Sequence, residues 1–269
     1  MECSDVLLVL TERWNGGIPA ICGFATRDFV HRNSLRHLTV QLVPVLLDHI
    51  RNEPVVVLHR RSALKTTAGK KLDICGGHVT YDPLFFPRHR WESRNLLKAA
   101  SLRTALREAR EEIQCKPSTI FTAKHLISFG ELCEFECSSR RTDGTYNREY
   151  SSVYLIGIPT DSEVSIWDSD RGGERKLKHV CLTLQELLNV YKKDRGDFAD
   201  GVTRVLDSVI ASPRRVAELQ RLMASTCQAV QKMKARTQYH SKGVLQKIDA
   251  RRQRKSGSGK AASRSKSEK

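Results

Sequence analysis

The sequence predicts an α+β chain: an α/β/α sandwich on a mixed sheet, followed by C-terminal helices and a disordered basic tail. Three observations lead there. Short Val-, Ile- and Leu-rich runs of strand length are interspersed with helical patterns. No regular βαβ repeat links them, which disfavours a doubly wound parallel sheet. Beyond Gly243 the apolar periodicity gives way to Lys, Arg, Ser and Gly.

Taken in order, Val6 to Leu10 is a short buried-strand candidate before a turn at Gly16-Gly17. Residues 1–30 are expected to form an N-terminal extension packed on the core. Leu38 to Leu47 is rich in β-branched and apolar residues, and Pro44 within it suggests an edge strand or a bulge. Val55 to Leu58 is a second strand that ends in the basic run His59-Arg60-Arg61. A polar loop with Gly69 leads to a third strand, Leu72 to Cys75, which runs into Gly76-Gly77-His78-Val79. Residues 80–94, with Pro83, Pro87 and a mixture of aromatic and basic side chains, read as a loop.

Asn95 to Gln114 is the strongest helix. Leu102, Leu106, Ala109 and Ile113 recur on one apolar stripe, and Lys116-Pro117 ends it. Strands are expected around Ala123 to Phe129, Glu131 to Cys137 and Ser151 to Ile158. Leu182 to Tyr191 and Val202 to Ile210 have the amphipathic spacing of helices. Ser212-Pro213 supplies an N-cap and N1 pair for a further helix to about Lys234. The organisation expected is a main domain over 31–211 with an insertion near 80–94, a C-terminal helix over 212–240, and a basic disordered tail over 241–269.

The net charge is +16. From Gln231 to Lys269, 13 Lys or Arg stand against two acids, so the tail carries +11 and the other residues +5. A mildly basic body suits an anionic substrate, and the tail is a separate candidate for nucleic-acid contact. Eight cysteines show no paired C-x-x-C spacing, which argues against a zinc ribbon. Cys133 and Cys137 alternate with Glu134 and Glu136, as small apolar residues on one face of a strand do. No apolar run reaches the roughly 18 residues of a membrane span, and the acidic start lacks the basic n-region of a signal peptide. The expected compartment is a reducing one, cytoplasmic with nuclear as the alternative.

The chemistry is expected on the long helix, in Arg107-Glu108-Ala109-Arg110-Glu111-Glu112. Glu108, Glu111 and Glu112 are spaced by i+3 and i+4, so their carboxylates gather on one side. Three like charges together destabilise a bare helix, and a hard divalent cation reverses that sign. Mg²⁺ takes oxygen ligands and shares its shell with substrate phosphates. The competing reading is a solvated charged face, with Arg103, Arg107 and Arg110 offsetting the glutamates.

The hexapeptide, with Gly76-Gly77 upstream, resembles the box of the Nudix hydrolases, G-x5-E-x7-R-E-U-x-E-E-x-G-U with U aliphatic. In the family the glycine lies 14 residues before the arginine; here Gly77 lies 30 before Arg107, which requires a 16-residue insertion. Counted back without a gap, the earlier box glutamate falls on Ala99, and the late glycine is Gln114. His37-Leu-Thr-Val, Leu58 to Lys65, Leu72 to Val79 and Asn147 to Tyr154 look like the subgroup related to isopentenyl diphosphate isomerase. The likeness covers roughly residues 31–160.

What the resemblance implies is specific. Glu108, Glu111 and Glu112 would hold Mg²⁺, or Mn²⁺ in its place. Arg107 would position the helix, and Gly76, Gly77 and His78 would line the substrate site. Arg61 and Lys65 would clamp the diphosphate, a fork and a point charge suited to phosphate oxygens. His37 and His78 match histidines that bind metal in the isomerase. Glu149 would add a metal contact or a general base. The isomerase nucleophile, a cysteine, falls on Gly76, and the isomerase Glu-x-Glu pair reads Asn147-Arg148-Glu149. The expected activity is therefore Mg²⁺-dependent hydrolysis of a diphosphate linkage in a nucleoside-diphosphate-X or related organic diphosphate, rather than isomerisation. Nucleotide, coenzyme, isoprenoid and RNA-cap diphosphates all remain open.

A rival reading from another class keeps the fold but uses it, without catalysis or with little, to bind RNA. The tail cations would make phosphate contacts with a steep salt dependence. Tyr239 is the one aromatic in that tail, so base stacking is not supported.

Overall fold

A computed structural model of the protein describes residues 6–11, 20–62, 69–83, 94–116, 118–128, 134–140, 144–159, 163–168 and 175–233. Lys65, most of the 80–94 loop and the tail from 234 onward lie outside the described residues, as does Cys133.

The architecture is organised around one long strand. The strands are β1 (Val6–Leu10), β2 (Ile21–Thr26), β3 (His37–Asp48), β4 (Glu53–Arg60), β5 (Leu72–Asp73), β6 (Cys75–His78), β7 (Ile113–Lys116), β8 (Leu126–Ser128), β9 (Glu134–Arg140), β10 (Tyr146–Gly157), β11 (Glu163–Asp168), β12 (Arg175–Leu177) and β13 (His179–Thr183). The helices are α1 (Arg27–Arg32), α2 (Arg94–Glu112), α3 (Leu184–Lys193), α4 (Asp200–Ile210) and α5 (213–233). Strand β3 pairs in parallel with β10 along one edge, from His37↔Glu149 to Val45↔Gly157. Along the other edge it pairs antiparallel first with β6 and then with β4. Strands β1 and β2 form a hairpin in the same sheet. A separate three-stranded sheet, β12-β11-β7, stands beside α2.

The layers follow from alternation along β3. Leu38, Val40 and Leu42 face one core with Cys75, Ala100, Ala105 and Ala109 of β6 and α2. Val43 and Val45 face a second core with residues of α3, α4 and α5. Helices thus cover both faces of a mixed sheet, the α+β sandwich with C-terminal helices expected from the sequence.

Several elements differ from expectation for identifiable reasons. Pro44 sits inside the central strand. It lies between Leu42, the last residue paired to β6, and Val45, the first paired to β4, so its missing N–H falls at a handover between ladders. The expected third strand splits into β5 and β6 at Ile74. Ala123–His125 is a 3₁₀ turn before a short strand. Ile113 and Gln114 leave the helix to start β7, and Leu182 and Thr183 end β13 before α3 starts. Thr183 and Glu186 close a capping box there. Strand β2 and helix α1 were not foreseen.

Candidate functional site

Helix α2 turns its expected stripe to the core, with Ala109 and Ile113 buried and Leu102 and Leu106 packed against it, and buries a strip of small residues beside it. Leu102 and Leu106 are half-buried, whereas Ala100, Ser101, Thr104, Ala105, Glu108 and Ala109 are buried. The most buried strip is made of small residues. It lets the helix lie close to β6 and carries the Glu108 carboxylate in with it.

That close approach brings the glycine pair onto the glutamates. The Gly76 N–H donates to Glu112 Oε2 at 3.0 Å. A Cβ on Gly77 would fall 2.2 Å from Glu108 Oε1. A Cβ on Gly76 would fall 2.3 Å from the Val40 carbonyl oxygen. Position 76 therefore needs glycine for the ladder with β3, and Gly77 leaves the room that the Glu108 carboxylate takes. The 30-position separation of Gly77 and Arg107 does not keep the two motifs apart.

Arg107 bridges the acidic cluster. Its guanidinium donates to Glu108 Oε1 at 2.5 Å, to Glu111 Oε2 at 2.9 Å and to the His78 carbonyl at 3.4 Å. Burial raises the Glu108 carboxyl above its ordinary range, and Arg107 pulls it partly back. Glu111 is exposed and Glu112 half-buried. Of the three arginines set against the glutamates in the solvated-face reading, Arg107 does pair with them, whereas Arg110 donates to the Phe121 carbonyl and Arg103 pairs with Asp82 at 2.6 Å. Ala99 is exposed.

Cys75 is turned toward α2. Burial, and then the Glu112 carboxylate beside it, push its thiol well above the ordinary range. It is held as a thiol and is no substitute for a nucleophile at position 76.

The other face of the same strands holds a second constellation. His78 is registered with Thr39, and Glu149 with His37, so these side chains point away from α2. His31 of α1 joins them. His31, His37 and His78 bring ring nitrogens within 4.8 Å of one another. The His37 and His78 rings stack at 5.1 Å between centroids, and His31 meets both edge-on. Glu149 Oε1 lies 4.0 Å from His37 Nε2 and accepts from the Asn147 side-chain amide. His78 Nε2 is buried with no hydrogen-bond partner among the described residues, and burial followed by the His37 charge holds this imidazole well below its ordinary range. These nitrogens suit a borderline metal ion, whereas the α2 carboxylates suit a hard one. His31 was missed in the sequence; its signal was its place six residues before His37.

Arg61, the expected phosphate clamp, donates to Asp73, a buried carboxylate whose other oxygen accepts from the Ile74 N–H. Lys65 lies outside the described residues.

No family model matches the sequence, and no curated protein matches it. Among solved structures, the chain is similar to a NUDIX hydrolase from Alicyclobacillus acidocaldarius, at 14% identity over 65% of this chain and 91% of that one, with a TM-score of 0.41. It is similar to the NUDIX domain of Shewanella oneidensis NrtR complexed with ADP ribose, at 14% identity over 65% and 86%, TM-score 0.38. It is also similar to the Ap4A hydrolase of C. elegans, at 12% identity over 65% and 96%, TM-score 0.35.

Proposed function

We propose that this chain is a Nudix-type hydrolase that cleaves a diphosphate linkage in a nucleoside-diphosphate-X or related organic diphosphate with Mg²⁺. One observation carries the reading. The glycine pair and the Arg-Glu-x-x-Glu-Glu helix, 30 residues apart, close on each other through Gly76–Glu112 and Gly77–Glu108. A solvated charged helix has no need of glycines shaped to its carboxylates.

The donor set fits the metal. Glu108, Glu111 and Glu112 offer hard carboxylate oxygens on adjoining turns, the class Mg²⁺ or Mn²⁺ takes. When bound, such an ion offsets the negative charge that builds on the diphosphate oxygens. The remaining work belongs to the chain. Arg107 holds Glu108 and Glu111 in one arrangement. A helix carboxylate takes the proton from the attacking water as its oxygen bonds to phosphorus and the bridging P–O bond breaks. The leaving phosphate keeps the bond's electron pair. Glu149 lies on the opposite face of the sheet and is assigned to the histidine cluster.

The test is a Mg²⁺-dependent screen of a diphosphate library with the Glu111→Gln/Glu112→Gln variant as control. Hydrolysis of at least one substrate, lost in the variant, is expected. Equal turnover by both proteins would sink the mechanism.

The imidazole cluster favours a second reading, an isomerase-type enzyme acting on an allylic or homoallylic diphosphate. Gly76 and the protonated Cys75 leave it without a thiolate, and Asn147 replaces one carboxylate. Proton exchange into isopentenyl diphosphate, followed by NMR, separates the two readings.

A further inference from the structure

The charge excess of the chain is concentrated at one end, and that end begins with a helix. From 213 to 269, 16 Lys or Arg stand against three acids, so this stretch carries +13 of the net +16. Its first part is α5, whose apolar side is committed: Leu219, Met223 and Cys227 are buried in the second core, on the sheet face opposite α2. The exposed side carries Arg214, Arg221 and Lys232, at i, i+7 and i+18. At 3.6 residues per turn these positions differ by about 20° at most, so the three cations form one line, roughly 27 Å long at 1.5 Å per residue. Gln228 lies beside this line, and Gln220 and Gln231 are exposed on the same helix.

Little within the protein competes for the line. Glu218 is the one acid of α5, and it meets Arg221 at 3.8 Å in an exposed, weak pair. Arg214 and Lys232 meet no carboxylate among the described residues. The chemistry of the surface selects its partner. An amphipathic helix binds a bilayer by inserting its apolar side, and the apolar side of α5 is already packed in the core. The exposed side offers only Arg, Lys, Gln, Ala and Pro. It has no aromatic ring on which a base could stack. Guanidinium, ammonium and amide N–H groups are donors that hold phosphodiester oxygens. A nucleic-acid duplex presents one such charge per ~1.7 Å of its axis, so a line of about 27 Å meets phosphates along its whole length.

We infer that the exposed side of α5, with the basic stretch that follows it, binds the phosphodiester backbone of a nucleic acid without regard to sequence. Residues 234–269 continue directly from the helix and carry 12 Lys or Arg against two acids. The helix supplies cations in a set line, and the residues beyond it supply the larger number. This surface is separate from the chemistry, because α5 covers the sheet face opposite α2 and its glutamates. It docks the chain on a polyanion whether or not the hydrolase reading holds, and the docking survives loss of the glutamates.

The experiment is fluorescence anisotropy of the full chain with labelled RNA and DNA duplexes of about 24 base pairs, over roughly 50–300 mM salt. Phosphatidylserine vesicles serve as a second ligand. Arg214→Gln/Arg221→Gln/Lys232→Gln is expected to weaken binding of both duplexes roughly tenfold. It should also flatten the slope of log affinity against log salt by about 2–3, one phosphate per cation. Lys98→Gln/Lys116→Gln/Lys124→Gln removes the same charge around α2, and screening over this salt range should hold its effect below about twofold. Glu111→Gln/Glu112→Gln should bind as the wild type does. The six substituted cations are all exposed, so both triple variants should keep the wild-type circular dichroism. No duplex binding by the wild type, no weakening in the α5 variant, equal weakening in the two triple variants, or binding confined to RNA or to DNA overturns the surface. So does capture of the vesicles without capture of a duplex, which would make the partner a membrane.

Discussion

Gly77 and Glu108 are fitted to each other: the space where a Cβ of residue 77 would stand is taken by the Glu108 carboxylate, 2.2 Å from that point. The neighbouring glycine has a different constraint, since a Cβ on Gly76 would meet the Val40 backbone oxygen at 2.3 Å. The two alanine variants should therefore separate. A carboxylate tip swings aside at low cost and a ladder carbonyl does not. Gly77→Ala should fold with a loss of under about 1.5 kcal/mol but lose on the order of 100-fold in Mg²⁺-dependent turnover, because its carboxylate is displaced. Gly76→Ala should lose roughly 2–3 kcal/mol of stability. Urea unfolding and turnover on the same preparations check both. Two variants equally inactive and equally unstable would show that Gly77 is structural only.

Arg107 supplies the counter-charge for a buried acid. Removing it leaves Glu108 in a dry seam beside Glu111, a cost of about 1–3 kcal/mol for an unsatisfied group. Arg107→Met should thus lower Tm. If the glutamates hold Mg²⁺, the ion should then replace part of the lost charge, and Mg²⁺ should raise the Tm of Arg107→Met by more than it raises that of the wild type. Thermal scans over a Mg²⁺ series decide it; equal shifts would place the ion elsewhere.

These cases show what was legible in the sequence. The Arg107-to-Glu112 spacing and the Gly76-Gly77 pair were readable because they are local patterns, as were α4 and the Ser212-Pro213 start of α5. Their meeting across the 80–94 insertion was legible only through the resemblance that joins them in one box, because sequence separation by itself carries no information on where a helix packs. The buried strip of α2 was read only in part for a related reason: Ala109 and Ile113 were on the expected stripe, and its small neighbours were not. Leu102 and Leu106 dominate any apolar pattern, yet Ala100, Ser101, Thr104 and Ala105 make the closest contact. His31 was missed because it sits on α1, a six-residue helix too short for periodicity to reveal. Arg61 reads as a free cation after a strand, and its pairing with Asp73 needs β4 and β5 side by side.

The Arg61–Asp73 pair makes its own prediction. Asp73 is buried, so Arg61→Ala strands a carboxylate and should cost about 2–4 kcal/mol. If Arg61 also clamps the diphosphate, Asp73→Asn, which keeps the arginine, should leave KM nearly unchanged, while Arg61→Lys should raise KM several-fold. Matching KM values in Arg61→Lys and wild type would make the pair purely structural.

Acid stability should depend on Arg60 and Asp197. The Arg60 guanidinium bonds both Asp197 oxygens, at 2.6 and 2.8 Å, and this bond holds the carboxyl below its ordinary range. A depressed folded-state value means that the unfolded chain binds the proton more readily. The pair's stabilisation is therefore present above the ordinary Asp value near 4 and is lost as pH falls through the lower folded value. Both groups are solvent-screened, so the effect is small, about 0.5 kcal/mol. Asp197→Asn should flatten the Tm profile between pH 5 and pH 2 and leave it parallel to wild type above pH 6. An unchanged acid limb would show the pair to be energetically silent.

The sheet separates two donor sets, and metal choice should follow that separation. Glu108, Glu111 and Glu112 belong to α2, and His37 and His78 stand at strand positions that alternate away from it, with His31 beside them. Oxygen donors take Mg²⁺; imidazoles take Co²⁺ or Zn²⁺ in preference. Co²⁺ added to the full chain should develop visible d–d absorption that His31→Ala or His78→Ala abolishes. Glu111→Gln/Glu112→Gln should leave that spectrum in place while abolishing Mg²⁺-dependent hydrolysis. His31→Ala should spare the hydrolysis, because its ring packs edge-on against the other two imidazoles. A Co²⁺ spectrum lost in the glutamate variant and kept in both histidine variants would mean that a single centre on α2 takes every ion, and that the imidazoles only pack against one another.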